Sequence, residues 1–379
     1  MWNISILMLL FEAETDISKI YKDGNFYYFL WGTSFPEHVY DMMKNQKKPK
    51  GFYVVGPEEW EPVMLFSDPM HYESFKSYVK EHNIDFKIIA GAVNDKKFNP
   101  NYAYAGEKPF ENHPTYFAHA IIYHAVTNGV QPYGIKTKKI QKLFTSLNGR
   151  PHRWRCEFVD TMYEHGMFDE GYVSWHELDK DEHFPDYAYE WKHWTPRIIN
   201  FDINWNRSDG MKDLFLPPNE FKTSAISLIS ESNTKCLFYT EKTFVPIFHQ
   251  RPFVIYGAPY ANTYLKNMGF EIFENIIDYS FDSILDDTER CQAYFKEVAK
   301  LKDMQYNEIV ESTHARVQHN YNRMIEIVEN KEYVSDTWNQ ITTNCKEHQY
   351  LSNYYNILNI GKDEQYIEWK QKYENSNNR

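Results

Sequence analysis

Long apolar segments and clustered cysteines are both missing from this 379-residue sequence. No stretch approaches the roughly 20 consecutive apolar residues that a membrane span needs. The apolar run Ile4–Phe11 is followed at once by acidic residues and lacks the basic start of a signal peptide. The cysteines form no CxxC pair, which disfavours a disulfide scaffold or a structural zinc site; they are Cys156, Cys236, Cys291 and Cys345. We therefore expect a cytoplasmic protein that does not enter a membrane.

Positive charge is also in deficit. The chain has 41 Lys and Arg against 53 Asp and Glu, a net charge of −12. Proteins that coat nucleic acid usually carry the opposite sign, so bulk nucleic-acid binding is disfavoured and only a local basic groove stays open. We interpret the basic stretch Lys44–Gly51 (KNQKKPKG) as a solvated surface segment. The alternative is that it contacts a phosphorylated or nucleic-acid acceptor.

Hydrophobic patterning predicts an α/β fold. A helix-like segment, His71–His82, lies among the strand-like runs of the first third, which are Ile4–Phe11, Phe26–Trp31, Gly51–Val55, Val63–Phe66 and Phe86–Ala90. From Lys138 to Phe281 strand, turn and helix alternate, which is typical of a doubly wound parallel sheet that binds ligands at the carboxyl ends of its strands. We predict an N-terminal α/β domain (1–135), a Rossmann-like domain (136–330) and a C-terminal helical tail (331–379).

One polar cluster, SLNGRPHRWR, spans Ser146 to Arg155. A strand is expected to end at the Asn148-Gly149 turn, and a helix to begin near Pro151. The free N–H groups and the dipole of a helix N-terminus attract anions. Guanidinium groups suited to phosphate follow in Arg150, Arg153 and Arg155. The alternative is a solvated helix start with surface arginines.

A second polar cluster, SESNTKCLFYTEK, spans Ser230 to Lys242. Lys242 lies at a predicted strand-to-helix junction, where it can pair with a phosphate. Glu241 beside it can accept both hydroxyls of a ribose, as acidic residues do in dinucleotide-binding folds. The alternative is structural: Thr240 caps the helix and the charged side chains lie in solvent.

The two clusters together resemble the nucleotide-sugar signature of the α-1,3-fucosyltransferase family. The matching residues are Glu231-Ser232-Asn233, then Phe238-Tyr239-Thr240-Glu241-Lys242, then Pro252 to Gly257 (PFVIYG). Arg155 aligns best with the arginine of the upstream helix, and Arg153 is the alternative. The region from Lys138 to Asp282 is also similar to glycosyltransferase-like proteins common in phage genomes.

This resemblance implies a GT-B architecture, in which two Rossmann-like domains face a cleft, here followed by C-terminal helices. The C-terminal Rossmann-like domain would hold the nucleotide-sugar donor, with Glu241 on the ribose and Lys242 and Arg155 on the diphosphate. The rest of the predicted donor site consists of Glu231 and Tyr239 around the base and sugar, and of Asn148, Arg150, Arg153 and Thr240. The donor, GDP- or UDP-linked, is a substrate, so no separate cofactor is expected.

The acceptor and the catalytic base are expected in the N-terminal domain. In an inverting transfer a carboxylate takes the proton of the attacking hydroxyl. The long Gly-, Pro- and Asn-rich segment Gly91–Pro114 has the character of a functional loop. Its candidates are Asp95, Glu107, Glu111 and His113, of which we favour Glu111.

Metal-binding patterns are weak. The DKD triplet Asp179–Asp181 matches the DxD of another glycosyltransferase fold, but a hydrophilic loop explains it better. His119 and His124 lack the HExxH pattern. We therefore predict a metal-independent, inverting hexosyl- or fucosyltransferase acting on a glycan or a modified DNA base, in the host cytoplasm if the source is viral. The alternatives are a nucleotide- or sugar-binding protein without turnover and a virus–host interaction protein.

Overall fold

The computed structural model describes residues 20–23, 26–30, 51–56, 76–93, 95–98, 110–134, 140–149, 152–175, 189–199, 217–344, 346 and 351–377. The predicted strands Ile4–Phe11 and Val63–Phe66, the basic stretch Lys44–Gly51 except its last residue, the DKD triplet, Glu107 and Arg150 lie outside these residues.

The N-terminal sheet has the strand order β1-β2-β3-β4-β5. Its strands are β1 (Ile20–Asp23), β2 (Phe26–Leu30), β3 (Gly51–Gly56), β4 (Asp85–Ala90) and β5 (Phe110–Asn112). Strands β1 and β2 are antiparallel, and the other pairs are parallel. The patterns at Phe26, Gly51 and Phe86 are confirmed as strands, and residues 76–81 are helical as expected. Strand β5 lies inside the segment predicted as a loop.

The C-terminal sheet is wholly parallel, with the order β7-β6-β8-β9. Its strands are β6 (Lys142–Asn148), β7 (Gly171–Trp175), β8 (Ser224–Ser230) and β9 (Phe253–Tyr256). From β6 the chain first moves to one side of the sheet, to β7, and then crosses to the other side, to β8. The topological switch point therefore lies between β6 and β8, where open α/β sheets bind their ligands.

Helices cover both faces of this sheet. They are α1 (Tyr116–Thr127), α2 (Arg153–Glu164), α3 (Asn219–Lys222), α4 (Glu241–Phe248), α5 (Ala261–Asn267), α6 (Asp287–Val298), α7 (Tyr306–Asn330), α8 (Asp336–Asn344), α9 (Leu351–Asn359) and α10 (Glu364–Asn377). Short 3-10 helices span Phe168–Glu170, Ser280–Ser283, Ala299–Asp303 and Ile360–Lys362. Helices α2 and α6 pack on one face, where Phe158 stacks on Tyr256. Helices α1, α4, α5 and α7 pack on the other, against Ile229 and Ile255. The predicted doubly wound α/β sheet is thus present.

The C-terminal helices belong to the core of this sheet rather than to a separate tail. Trp369 of α10 stacks on Phe248 of α4, and its Nε1 donates to the carbonyl of Val130 at 2.7 Å. Helix α1, assigned to the N-terminal domain by sequence, shares the same hydrophobic cluster. In the described ranges a second Rossmann-like domain is not evident, and none of their helices is long and apolar enough to cross a membrane.

Candidate functional site

Asn148 ends strand β6 at the edge of the switch point. The residue is buried, and its Nδ2 donates to the Ser146 hydroxyl at 3.1 Å and the Ser174 carbonyl at 3.3 Å. Its backbone N–H donates to the Ser174 hydroxyl. Its Oδ1 is also buried, yet it has no hydrogen-bond partner among the described residues. The side chain is therefore fixed on one side and unsatisfied on the other.

Ser230 ends strand β8 opposite Asn148. Extending the register that pairs Phe144 with Ile226 places both residues at the same level and on the same face of the sheet. The hydroxyls of Ser230 and Ser232 are buried and, within the part of the chain that is described, unpartnered. Such a group costs about 1–3 kcal/mol when unsatisfied, so three near the carboxyl ends of β6 and β8 make this edge of the sheet a candidate ligand site. Sequence analysis included Ser230 in the second polar cluster and Ser232 in the family signature, but it did not predict either hydroxyl as a ligand.

Helix α2 begins directly beyond β6. Its N-cap, His152, makes no side-chain cap hydrogen bond, and its first turn has no acidic residue. The positive end of this helix dipole is therefore not neutralised by its own side chains. Arg155 is buried at this helix start, whereas Arg153 is exposed. Of the two predicted phosphate ligands on α2, only Arg155 is buried.

Glu231 fixes the start of α4. Its Oε1 accepts from the Thr240 N–H (3.1 Å) and the Thr243 hydroxyl (2.6 Å). Its Oε2 accepts from the Thr240 hydroxyl (2.6 Å) and the Ser232 N–H (3.2 Å). Thr240 is the N-cap and accepts from the Lys242 N–H, so the expected cap is confirmed. The Glu231 carboxylate is thus fully engaged within the fold, and its predicted contact with base or sugar stays a prediction.

Glu241 and Lys242 have a different environment. The Glu241 side chain is 8% exposed, and Lys242 Nζ lies 3.8 Å from its Oε1. Within the described part of the chain, the Glu241 carboxylate makes no hydrogen bond and no ion pair other than this one. A buried carboxylate without a hydrogen-bond donor is unfavourable. Glu241 is therefore available to accept hydroxyl groups from a ligand.

Tyr239 lies in the core of the protein. It is 1% exposed, it stacks on Tyr264, and its hydroxyl donates to the Ala261 carbonyl at 2.5 Å. Burial raises its pKa well above the usual value. The structure therefore places this predicted pocket residue among apolar side chains, with its phenol oxygen already bonded.

The candidates for the catalytic base differ in environment. Burial raises the pKa of Glu111, but hydrogen bonds from Lys87 (2.7 Å), Thr337 (2.8 Å) and Ser335 outweigh it, so the pKa lies below its usual value. Glu111 lies in an open cleft of about 460 Å³ beside Tyr333–Thr337. A carboxylate stabilised as the anion in this way is a weaker base.

His113 and Asp95 complete this comparison. Burial lowers the pKa of His113 to about 3, and its Nδ1 lies 3.2 Å from the Tyr333 carbonyl. Asp95 is exposed, and its Oδ1 accepts from the Lys97 N–H at 2.8 Å. A base must reach the acceptor and keep the proton affinity for its task. Of these three candidates, Asp95 is exposed to solvent, whereas His113 is buried and Glu111 is half-buried.

The loop that carries Asp95 packs against the segment between β8 and α4. The Val93 N–H donates to the Leu237 carbonyl at 2.8 Å, and Phe98 makes an edge contact with Tyr264. This contact brings the N-terminal sheet next to the switch-point side of the C-terminal sheet. Among the described residues, no group of three His, Cys, Asp or Glu side chains could hold a metal ion.

Comparison with known proteins gives no family. The chain matches no protein-family model, and no curated protein is significantly similar to it. The function of the chain is therefore inferred from where its fold places Asn148, Ser230, Arg155, Glu241 and Lys242.

Proposed function

We propose that this chain is a glycosyltransferase that binds a nucleotide-sugar donor in the crevice between β6 and β8. The observation that carries the proposal is the pair of buried side chains that close these strands, Asn148 and Ser230, with oxygens unpartnered in the described part of the chain. The crevice lies at the topological switch point, where α/β sheets of this kind bind nucleotides.

The surrounding groups match the parts of a nucleoside diphosphate. The uncapped start of α2 and the charge of Arg155 lie on the β6 side, and they suit the phosphates. Lys242 supplies a second cation on the β8 side. Glu241, buried and without a donor in the described residues, suits the ribose hydroxyls. Fixed charges of this kind stabilise the leaving diphosphate as negative charge develops on it.

The proposed reaction is a displacement at the anomeric carbon of the sugar. The acceptor oxygen forms the new C–O bond, and the bond to the β-phosphate oxygen breaks with its electron pair leaving on the diphosphate. A carboxylate takes the proton of the acceptor hydroxyl. Asp95 suits this role better than Glu111, since the loop of Asp95 contacts the donor side of the protein. Single displacement inverts the configuration and does not require a metal.

The proposal includes the GT-B arrangement, with the N-terminal sheet as the acceptor side. The parallel order of β2 to β5 and the contact between Val93 and Leu237 support it. The acceptor is a glycan or a modified DNA base, and the net charge of −12 favours the glycan.

A second candidate is a nucleotide- or sugar-binding protein without turnover. It is favoured by the engagement of Glu111, whose carboxylate accepts from Lys87 and Thr337. Both candidates predict nucleotide binding, and only the first predicts donor cleavage.

Release of nucleoside diphosphate from GDP- and UDP-linked sugars, with and without added glycans, tests the proposal. Lys242→Ala should weaken donor binding about 10- to 150-fold, because a hydrogen bond to a charged group contributes about 1.5–3 kcal/mol. The exposed Lys266, paired with Glu274, provides the matched control, and Lys266→Ala should change affinity less than about twofold. Binding without release from any donor would favour the second candidate, and no binding would refute both.

A further inference from the structure

Two aromatic side chains form a stacked pair at the start of α2. The rings of His152 and Trp154 lie 4.8 Å apart between centroids, with an angle of 6° between their planes. Both residues are partly exposed. Of the other tryptophans among the described residues, Trp175, Trp194, Trp338 and Trp369 are buried in the core, and the partly buried Trp191 packs against it. Trp154 therefore keeps indole surface accessible beside the crevice.

The indole of Trp154 is held across the switch point. Its Nε1 donates to the Glu231 carbonyl at 3.3 Å. Trp154 belongs to the helix that follows β6, while Glu231 directly follows β8, so this hydrogen bond connects the two sides of the crevice. Because the carboxylate of Glu231 accepts from Thr240, Thr243 and Ser232, the bond ends on a rigid anchor.

We infer that the nucleobase of the bound nucleotide stacks on the His152–Trp154 pair. This inference rests on the proposed function and uses ring surfaces that are distinct from the proposed phosphate ligands, Arg155 and Lys242, and from the proposed ribose ligand, Glu241. A planar aromatic surface with a fixed orientation binds the face of any base, since every nucleobase has a π-face. The pair therefore contributes affinity for the base without selecting guanine over uracil.

Calorimetric titration of the full chain with GDP, UDP and inorganic pyrophosphate tests this assignment. Trp154→Ala should weaken GDP and UDP binding about 5- to 100-fold, the range that base–aromatic stacking provides. Pyrophosphate, which has no base, should bind Trp154→Ala within about twofold of wild type. Trp154→Phe keeps a ring and should recover most of the nucleotide affinity, and His152→Ala should weaken nucleotide binding but not pyrophosphate binding.

Tyr163→Ala provides the matched control, because Tyr163 is an exposed aromatic residue in the last turns of the same helix. It should leave the affinity for all three ligands unchanged. If wild type binds GDP or UDP and Trp154→Ala binds it equally well, the base position is refuted while the proposed function stands. An equal loss of pyrophosphate and nucleotide affinity in both Trp154 variants would also refute it. If wild type binds none of the three ligands, the proposed function fails and this inference fails with it.

Discussion

Replacing Glu231 with glutamine should destabilise the protein, whereas the same replacement at Glu241 should lower only its affinity for nucleotide. Each Glu231 oxygen accepts two hydrogen bonds, so an amide nitrogen at either position loses two of the four. At about 1–3 kcal/mol for each buried donor left without an acceptor, and with partial relief by hydroxyl rotation, the loss should be about 2–4 kcal/mol. Glu241→Gln removes no hydrogen bond from the described residues and only a 3.8 Å contact with Lys242.

Thermal unfolding followed by far-UV circular dichroism measures the first effect. For a unit of 150–250 residues, the loss at Glu231 corresponds to a Tm lower by about 5–15 °C. Glu241→Gln should keep Tm close to wild type, because Lys242 Nζ, 3.8 Å from Oε1, is too far away for a hydrogen bond. The nucleoside diphosphate affinity of Glu241→Gln should fall about tenfold or more, since the ribose hydroxyls lose a charged acceptor. Equal destabilisation by the two variants, or unchanged nucleotide affinity in Glu241→Gln, would refute the division of roles.

Three further substitutions test the surroundings of the site. Burial lowers the pKa of His113 to about 3, so the folded state binds fewer protons than the unfolded state below pH 6.5. The free energy of unfolding should therefore decrease as the pH is lowered from about 6.5 to about 3. In urea titrations, His113→Gln should remove about 1.4 kcal/mol per pH unit of this dependence. Tyr239→Phe loses the hydrogen bond to Ala261 and should cost about 1 kcal/mol of stability without changing nucleotide affinity; a change in affinity would put Tyr239 in the pocket. Arg290→Met leaves the carbonyls of Gly257 and Ile284 without their donor, while Asp287 keeps Lys235; it should cost about 2–5 kcal/mol in chemical unfolding, and a cost below 1 kcal/mol would contradict this.

The elements around the switch point follow from local sequence. Strand β6 ends where the Asn148-Gly149 turn is predicted. Strands β8 and β9 lie within the region from Lys138 to Phe281, where the sequence predicts alternating strands and helices. Helix α5 ends just before Gly269, whose φ of +90° favours a residue without a side chain. Each of these signals acts over a few residues, which is why sequence alone was sufficient.

Contacts between segments far apart in the sequence were not predicted. Strand β5 has only three residues and exists through pairing of Phe110 with Ile88 of β4. The C-terminal helices were expected as a tail, yet Trp369 reaches the carbonyl of Val130 across 239 positions of sequence. Local propensity carries no information on either contact.

The same limit applies to the site. The motif that contains Glu231 and Glu241 does not reveal which of the two carboxylates accepts hydrogen bonds from within the protein. The answer depends on how the first residues of α4 are placed. Thr240 and Thr243 point their hydroxyls at Glu231 from 9 and 12 residues away. Only the folded chain shows that Glu241 keeps its carboxylate without a donor from the described residues.

Hydrogen–deuterium exchange of the full chain tests the central claim, nucleotide binding at the switch point, most directly. The ligand is the nucleoside diphosphate among GDP, UDP, CDP, TDP and ADP that raises Tm most; at about 100 times its Kd it should add about 2.7 kcal/mol of stability. Nucleotide binding at the switch point should slow exchange in peptides that cover residues 144–158 and 228–244, at the ends of β6 and β8. Slower exchange confined to other segments, or no rise in Tm with any of the five nucleotides, would contradict it.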